Sequence, residues 1–126
     1  MQGFPKSQRL LRHSDFRKVY SEGRRHFGAH MTLFYRNRKE APSEPWRVGF
    51  TVGKVLGGAV ERNRLKRRLR EAVRLTTHRL PCGADVVIHP KRSVLDTEFL
   101  TLRNEIEKAF VAISRSLEKE KPTKER

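Results

Sequence analysis

From Glu61 to Arg74 the chain reads ERNRLKRRLREAVR, with seven basic side chains, six of them arginine, against two acids, a net of +5. The chemistry open to such a stretch is charge neutralisation, not bond cleavage. A guanidinium is a planar fork that meets a phosphate with two parallel hydrogen bonds and stacks on bases. The plainer reading is the wet face of an amphipathic helix, but wet faces mix signs and use i,i+4 Glu-to-Lys pairs, and here Glu71 relieves only part of the repulsion. On helical geometry Leu65, Leu69, Ala72 and Val73 share one arc, and Asn63, Arg67, Arg70 and Arg74 share the opposite one, with Arg64 and Lys66 on its shoulders. The first four should bury and the second four should form an exposed cationic ridge. Asn63 is a poor helix former, roughly half a kcal/mol worse than Ala. Either it caps a helix that begins later, or its amide meets a base edge or a sugar hydroxyl.

Hydrolysis by the protein itself requires carboxylates converging on metal ions, or a paired acid and base. The 14 acids are scattered, with no DxD, no HExxH and no carboxylate pair on a strand. His26 and His30 have ligand spacing for a helix, but their segment reads as strand, so no metal site is expected. His13, His78 and His89 stand alone and read as surface or capping residues. In VGKVLGGA, Gly53 and Gly58 have the spacing of a phosphate loop, yet Ala59 stands where its lysine belongs, which rejects nucleotide hydrolysis. What survives is a Gly57-Gly58 turn that leads backbone amides into a helix start beside Lys54, a place that suits a nucleic-acid phosphate. The single cysteine, Cys82, reads as a small side chain at a loop-to-strand boundary and suits a reducing compartment.

The elements that must position these residues belong to a chain of 126 residues, enough for one core that buries roughly two-thirds of the unfolded surface. The whole chain carries 29 Lys and Arg against 14 Asp and Glu, a charge of +15. A chain this basic repels itself unless a polyanion compensates, and nucleic acid ranks ahead of an anionic membrane surface. No apolar run approaches the roughly 18 residues of a membrane helix, and the first residues lack the apolar core of a secretory signal, so a cytoplasmic protein is expected. A basic N-terminal arm carries Lys6, Arg9 and Arg12. HSDFRKVYSEG predicts a helix capped by Ser14, striped by Phe16, Val19 and Tyr20, and stopped at Gly23. HFGAHMTLFYR and WRVGFTVGK alternate as two strands and predict an antiparallel pair. The basic helix should run from Ala59 to about Arg79, closed by Pro81 and Gly83. ADVVIHP is apolar enough for a central strand. A last helix should start near Asp96 as N-cap and bury Phe99, Leu102, Ile106, Ala109, Phe110, Ile113 and Leu117. The domain is drawn at 1–117, with 118–126 as a disordered charged tail.

With its blocks taken in order, the sequence resembles the protein subunit of bacterial ribonuclease P. AVERNRLKRRLREAVR looks like that family's RNR motif, and FPKSQRL, DFRKVYSEG, WRVGFTVGK and GADVVIHP follow its order and spacing over nearly the whole chain outside the tail. The resemblance implies an α+β, two-layer αβββαβα sandwich with a mixed four-stranded sheet and a left-handed βαβ crossover, like the second domain of ribosomal protein S5. It implies a ribonucleoprotein subunit that binds the catalytic RNA and the 5′ leader of precursor tRNA, while the RNA performs Mg2+-dependent cleavage. The protein alone is then expected to hold no cofactor and no metal, to lack catalytic residues, and to need neither a membrane nor an obligate protein partner. By position in the motif, Arg62, Asn63, Arg64, Lys66, Arg67, Arg70 and Arg74 would contact the catalytic RNA, and Lys54 a further phosphate. Phe16, Tyr20 and Tyr35 would line the leader cleft, with Phe34 replacing Tyr35 if the register differs by one. The family usually has a second lysine after Lys54, where this chain has Val55. Two other classes compete: a structural RNA-binding protein of ribosomal type, and a DNA-binding protein reading the major groove. The second is disfavoured because Leu65, Leu69 and Val73 are needed for the core.

Overall fold

Four extended segments pair into one sheet, with the apolar ADVVIHP segment buried on both faces and the basic RRHF segment left largely in solvent. In the computed structural model, which describes residues 8–9 and 12–120, the order is α1 (His13–Glu22), β1 (Arg24–Phe27), β2 (Met31–Asn37), β3 (Arg47–Phe50), α2 (Ala59–Arg74), β4 (Ala84–Pro90) and α3 (Phe99–Glu120). The sheet order is β1-β2-β4-β3, with β1/β2 and β2/β4 antiparallel and β3/β4 parallel. This is the αβββαβα arrangement with a mixed sheet.

Two expectations are corrected. The stretch from His26 to Arg36 is two strands, because Gly28 turns the chain: its N–H donates to the Met31 carbonyl at 2.8 Å. A Cβ there would meet the carboxylate end of Glu105 at 2.4 Å and the Met31 carbonyl at 3.0 Å, so a side chain would force that carboxylate off the His30 amide it accepts from. The expected antiparallel pairing of the second and third strands does not form, because β4 inserts between β2 and β3. All but one residue of β4 is buried, so it belongs at the centre, and local alternation cannot see a strand arriving from later in the chain.

Met31, Leu33, Tyr35, Val48, Val86 and Ile88 face α2 and α3, packing with Leu65, Leu69, Val73, Leu102, Ile106 and Phe110 into the main core. The alternate residues face α1, which fastens itself through Val19 onto Val87, with Phe16 and Phe34 packed alongside. At the junction after α1, a side chain on Gly23 would collide with the Tyr35 and Val19 carbonyls at 2.3 and 2.5 Å.

Helix ends also move. Arg12, not Ser14, is the N-cap of α1, and its carbonyl accepts from the Asp15 and Phe16 amides. α2 stops at Arg74 instead of Arg79, where Thr76 Oγ1 bonds back to the carbonyls of Ala72 and Val73. α3 begins at Phe99, because Arg92–Asp96 forms a 3-10 turn, and it continues through Glu120. Residues 118–120, assigned to the tail, are therefore helical, and 121–126 lie outside the described residues.

Candidate nucleic-acid interface

α2 presents the two faces its spacing requires. Leu65, Leu69, Ala72 and Val73 are buried, whereas Asn63, Arg64, Arg67 and Arg74 are exposed and Arg62, Lys66 and Arg70 are half-buried. Asn63 is the fifth residue of a helix capped by Gly58, which rules out the capping role. Not every arginine is available. Arg74 is clamped on Glu71 by bonds of 3.1 and 2.5 Å, and the pair holds the Glu71 carboxyl below its ordinary range. Arg62 donates to the Gly57 carbonyl at 3.1 Å. Arg68, outside the predicted ridge, donates to the Thr97 carbonyl and ties α2 to the start of α3. Among the described residues no ion pair engages Arg64, Lys66, Arg67 or Arg70, and these form the uncompensated part of the ridge. Lys54 is exposed on the 3-10 turn Lys54–Leu56, which leads through Gly57, at φ +118°, into the helix.

On the other sheet face the aromatic residues separate. Tyr20 is 42% exposed and meets Phe34 edge-on, with centroids 4.8 Å apart and planes at 89°. Phe16 is half-buried beside Val19 and serves partly as packing. Tyr35, predicted for the cleft, is 6% exposed within the main core and donates its hydroxyl to Ser116 Oγ at 3.0 Å. Phe34, its neighbour in β2, points to the opposite face and packs beside Val19 and Val87 on the α1 side. Thr51 lies beside this set, with its Oγ1 2.7 Å from His89 Nδ1. Burial pushes the Tyr20 phenol up, an effect that the neighbouring Thr51 side chain only partly offsets. The cleft and the ridge are linked by the β3 edge, where Thr51 lies beside Tyr20 and the following turn carries Lys54. Of the basic arm, Arg9 bridges to Val48 on β3 and Arg12 is exposed, while Lys6 lies outside the described residues.

Sequence reasoning missed what holds the floor of this face. Asp85 on β4 is fully buried and receives Arg38 at 2.6 Å and Arg47 through two bonds of 2.9 Å, with Arg36 at 3.7 Å. Arg36 in turn bonds Glu40 at 2.8 Å and Glu22 of α1 at 3.3 Å, and Arg47 faces Asp15 of α1 at 3.6 Å. α1 and the loop after β2 are thereby pinned to the sheet by charge. These partners lie up to 49 residues apart, so no local pattern reveals them.

Chiefly through its hydrogen bond from Arg36, Glu40 titrates at about 2, below its ordinary 4.5. A carboxylate depressed on folding contributes stability that is whole above about pH 4.5 and is lost as pH falls toward 2. Glu40 is half exposed, so screening holds that contribution below about 1 kcal/mol. Acid titration of Glu40→Gln, followed by denaturant unfolding, should show a shallower loss across this window than the parent protein; superimposable acid limbs would refute the assignment.

An aromatic row open on one sheet face, with an arginine helix packed against the other, defines a basic α+β protein built to bind RNA. The chain belongs to the ribonuclease P protein family, whose model, described as Ribonuclease P, matches residues 4–114. It is 41% identical over 105 residues to the ribonuclease P protein component of Symbiobacterium thermophilum, covering 83% of this chain and 90% of that one. The corresponding component of Finegoldia magna is 38% identical over 116 residues, covering 92% and 96%. Among solved structures, the RNase P protein of Thermotoga maritima superposes with a TM-score of 0.73 at 26% identity, covering 82% of this chain and 96% of that one. The Staphylococcus aureus protein gives 0.74 at 25% identity, covering 89% and 99%.

Proposed function

We propose that this chain is the protein subunit of a cytoplasmic ribonuclease P ribonucleoprotein, which removes the 5′ leader of precursor tRNA. In this reading the ridge of Arg64, Lys66, Arg67 and Arg70, with Asn63 at its N-terminal end and Arg62, Arg74 and Lys54 beside it, binds the catalytic RNA. Tyr20 and Phe34, backed by Phe16, hold the single-stranded leader. The observation that carries the proposal is the pair of an exposed Tyr20 and a half-buried Phe34 set edge-on on one sheet face, on the same molecule as an uncompensated arginine helix. Stacking on rings is tolerant of base identity, which suits one enzyme acting on many leaders.

The chemistry is assigned to the RNA. Among the described residues no three His, Cys, Asp or Glu side chains gather to hold a metal ion, and the carboxylates in ion pairs all face cations. In this reading Mg2+ is held among RNA phosphates, and the protein's own contribution is to neutralise neighbouring phosphates and fix the leader. No helix among the described residues is long and apolar enough to cross a membrane. The reading is tested by comparing precursor and mature tRNA on the reconstituted holoenzyme. The precursor should bind more tightly, and Phe34→Ala should reduce that preference about tenfold; equal binding of precursor and mature tRNA by the parent holoenzyme would overturn the leader cleft.

A further inference from the structure

The sheet face that carries the cleft extends beyond Tyr20 and Phe34. Phe27 is the last residue of β1, an edge strand, and is 68% exposed. In the β1/β2 register Arg25 lies opposite Phe34 and Phe27 opposite Thr32, so all four residues project from the α1 side of the sheet. The Arg25 guanidinium sits between two rings, 5.8 Å from the centroid of Phe27 and 5.8 Å from that of Phe34. Phe27, Arg25, Phe34 and Tyr20 thus form one unbroken row that alternates aromatic and cationic groups up to the sheet edge.

A large aromatic side chain left in water on an edge strand invites either a base or a second copy of the chain. Charge decides between them. β1 reads RRHF on a chain of +15, so a second copy brings repulsion, whereas single-stranded RNA brings both phosphates and π faces. The order along the track follows from the sheet. β3 leads into the ridge helix, and β1 is the opposite edge, so a leader whose tRNA end is held near the ridge reaches the Tyr20–Phe34 pair first and Phe27 last.

We propose that Phe27 is an outer stacking platform for the single-stranded leader, receiving a base farther from the tRNA than those at Tyr20 and Phe34, with Arg25 as the charged step between the two stations. The proposal rests on the leader-cleft reading above. Its test is equilibrium binding of precursor tRNAs, whose leaders are lengthened one nucleotide at a time, to holoenzyme reconstituted with the parent protein or with Phe27→Ala, Phe27→Trp or Phe27→Leu. The parent should gain affinity in an inner and an outer step as the leader grows. Phe27→Ala should erase the outer step, about tenfold, Phe27→Trp should keep it, and Phe27→Leu, apolar but without a π face, should not restore it. An outer step that persists in Phe27→Ala or in Phe27→Leu refutes the platform while leaving the inner cleft intact. A parent holoenzyme with no dependence on leader length refutes the cleft itself. Self-association of the free protein that Phe27→Ala abolishes, together with an unchanged outer step, would assign the ring to a second copy instead. Because the ring is mostly solvated, these variants should fold as the parent does, which circular dichroism checks.

Discussion

Replacing Asp85 with asparagine should lower the stability of the chain by about 3–5 kcal/mol, the range expected when one partner is removed from a buried ion network. Asp85 is fully buried and is the carboxylate on which Arg38 and Arg47 both converge, with Arg36 close by. Asparagine keeps the shape and one acceptor but removes the charge, so buried guanidinium groups lose their counter-ion in a medium that screens poorly. The site has no spare acceptor: Arg36 Nε is already the one buried side-chain nitrogen or oxygen among the described residues without a hydrogen-bond partner. Natural domains hold only about 5–15 kcal/mol in total, so this single change takes up a large part of the margin. Denaturant unfolding followed by circular dichroism measures it, and Glu71→Gln, which breaks only the solvent-screened surface pair with Arg74, provides the contrast with a much smaller loss. A loss at Asp85 no larger than at Glu71 would mean that the network is solvated and does not pin α1.

The second large effect falls on RNA affinity. Arg67 and Arg70 stand on the ridge without an ion-pair partner among the described residues, so phosphates are free to take them. Replacing both by alanine should weaken binding of the catalytic RNA by roughly tenfold per arginine at low salt, the scale of a charge-assisted hydrogen bond. It should also flatten the dependence of log affinity on log salt by up to about one unit per lost contact. Arg74→Ala should do less, because Glu71 already holds that guanidinium. The folded state is little affected, since the buried face of α2 is Leu65, Leu69, Ala72 and Val73. An unchanged salt slope in the double variant would reduce the ridge to a solvated helix face.

What the sequence made legible was what depends on local period. The two faces of α2, the central position of ADVVIHP and the apolar stripe of α3 all follow from spacing, and the structure places them accordingly. Where phase or distance along the chain matters, local pattern fails. Tyr35, with Phe34 as its alternative, came from the family resemblance, whose loop length leaves the register of β2 open by one residue; the structure puts Tyr35 in the main core and Phe34 on the α1 side. β3 was paired with its neighbour in sequence, although β4 takes that place. The arginines around Asp85 looked like excess charge because their partner lies 38 to 49 residues away, and only the parallel β3/β4 and antiparallel β2/β4 registers bring them together. That Phe16, Val19 and Tyr20 share one face of α1 was legible from the helical spacing, whereas the placement of Phe27 on the same side of the sheet follows from the β1/β2 register alone.

The proposed division of labour gives binding surfaces to this chain and the chemistry to RNA. Cleavage of an end-labelled precursor tRNA at low Mg2+ tests it most directly, with the purified protein alone, the ribonuclease P RNA alone, and the two together. Release of the intact 5′ leader is expected when protein and RNA are combined, far less from the RNA alone, and none from the protein alone. Leader release by the protein without RNA, abolished by substitutions in this chain, would contradict it.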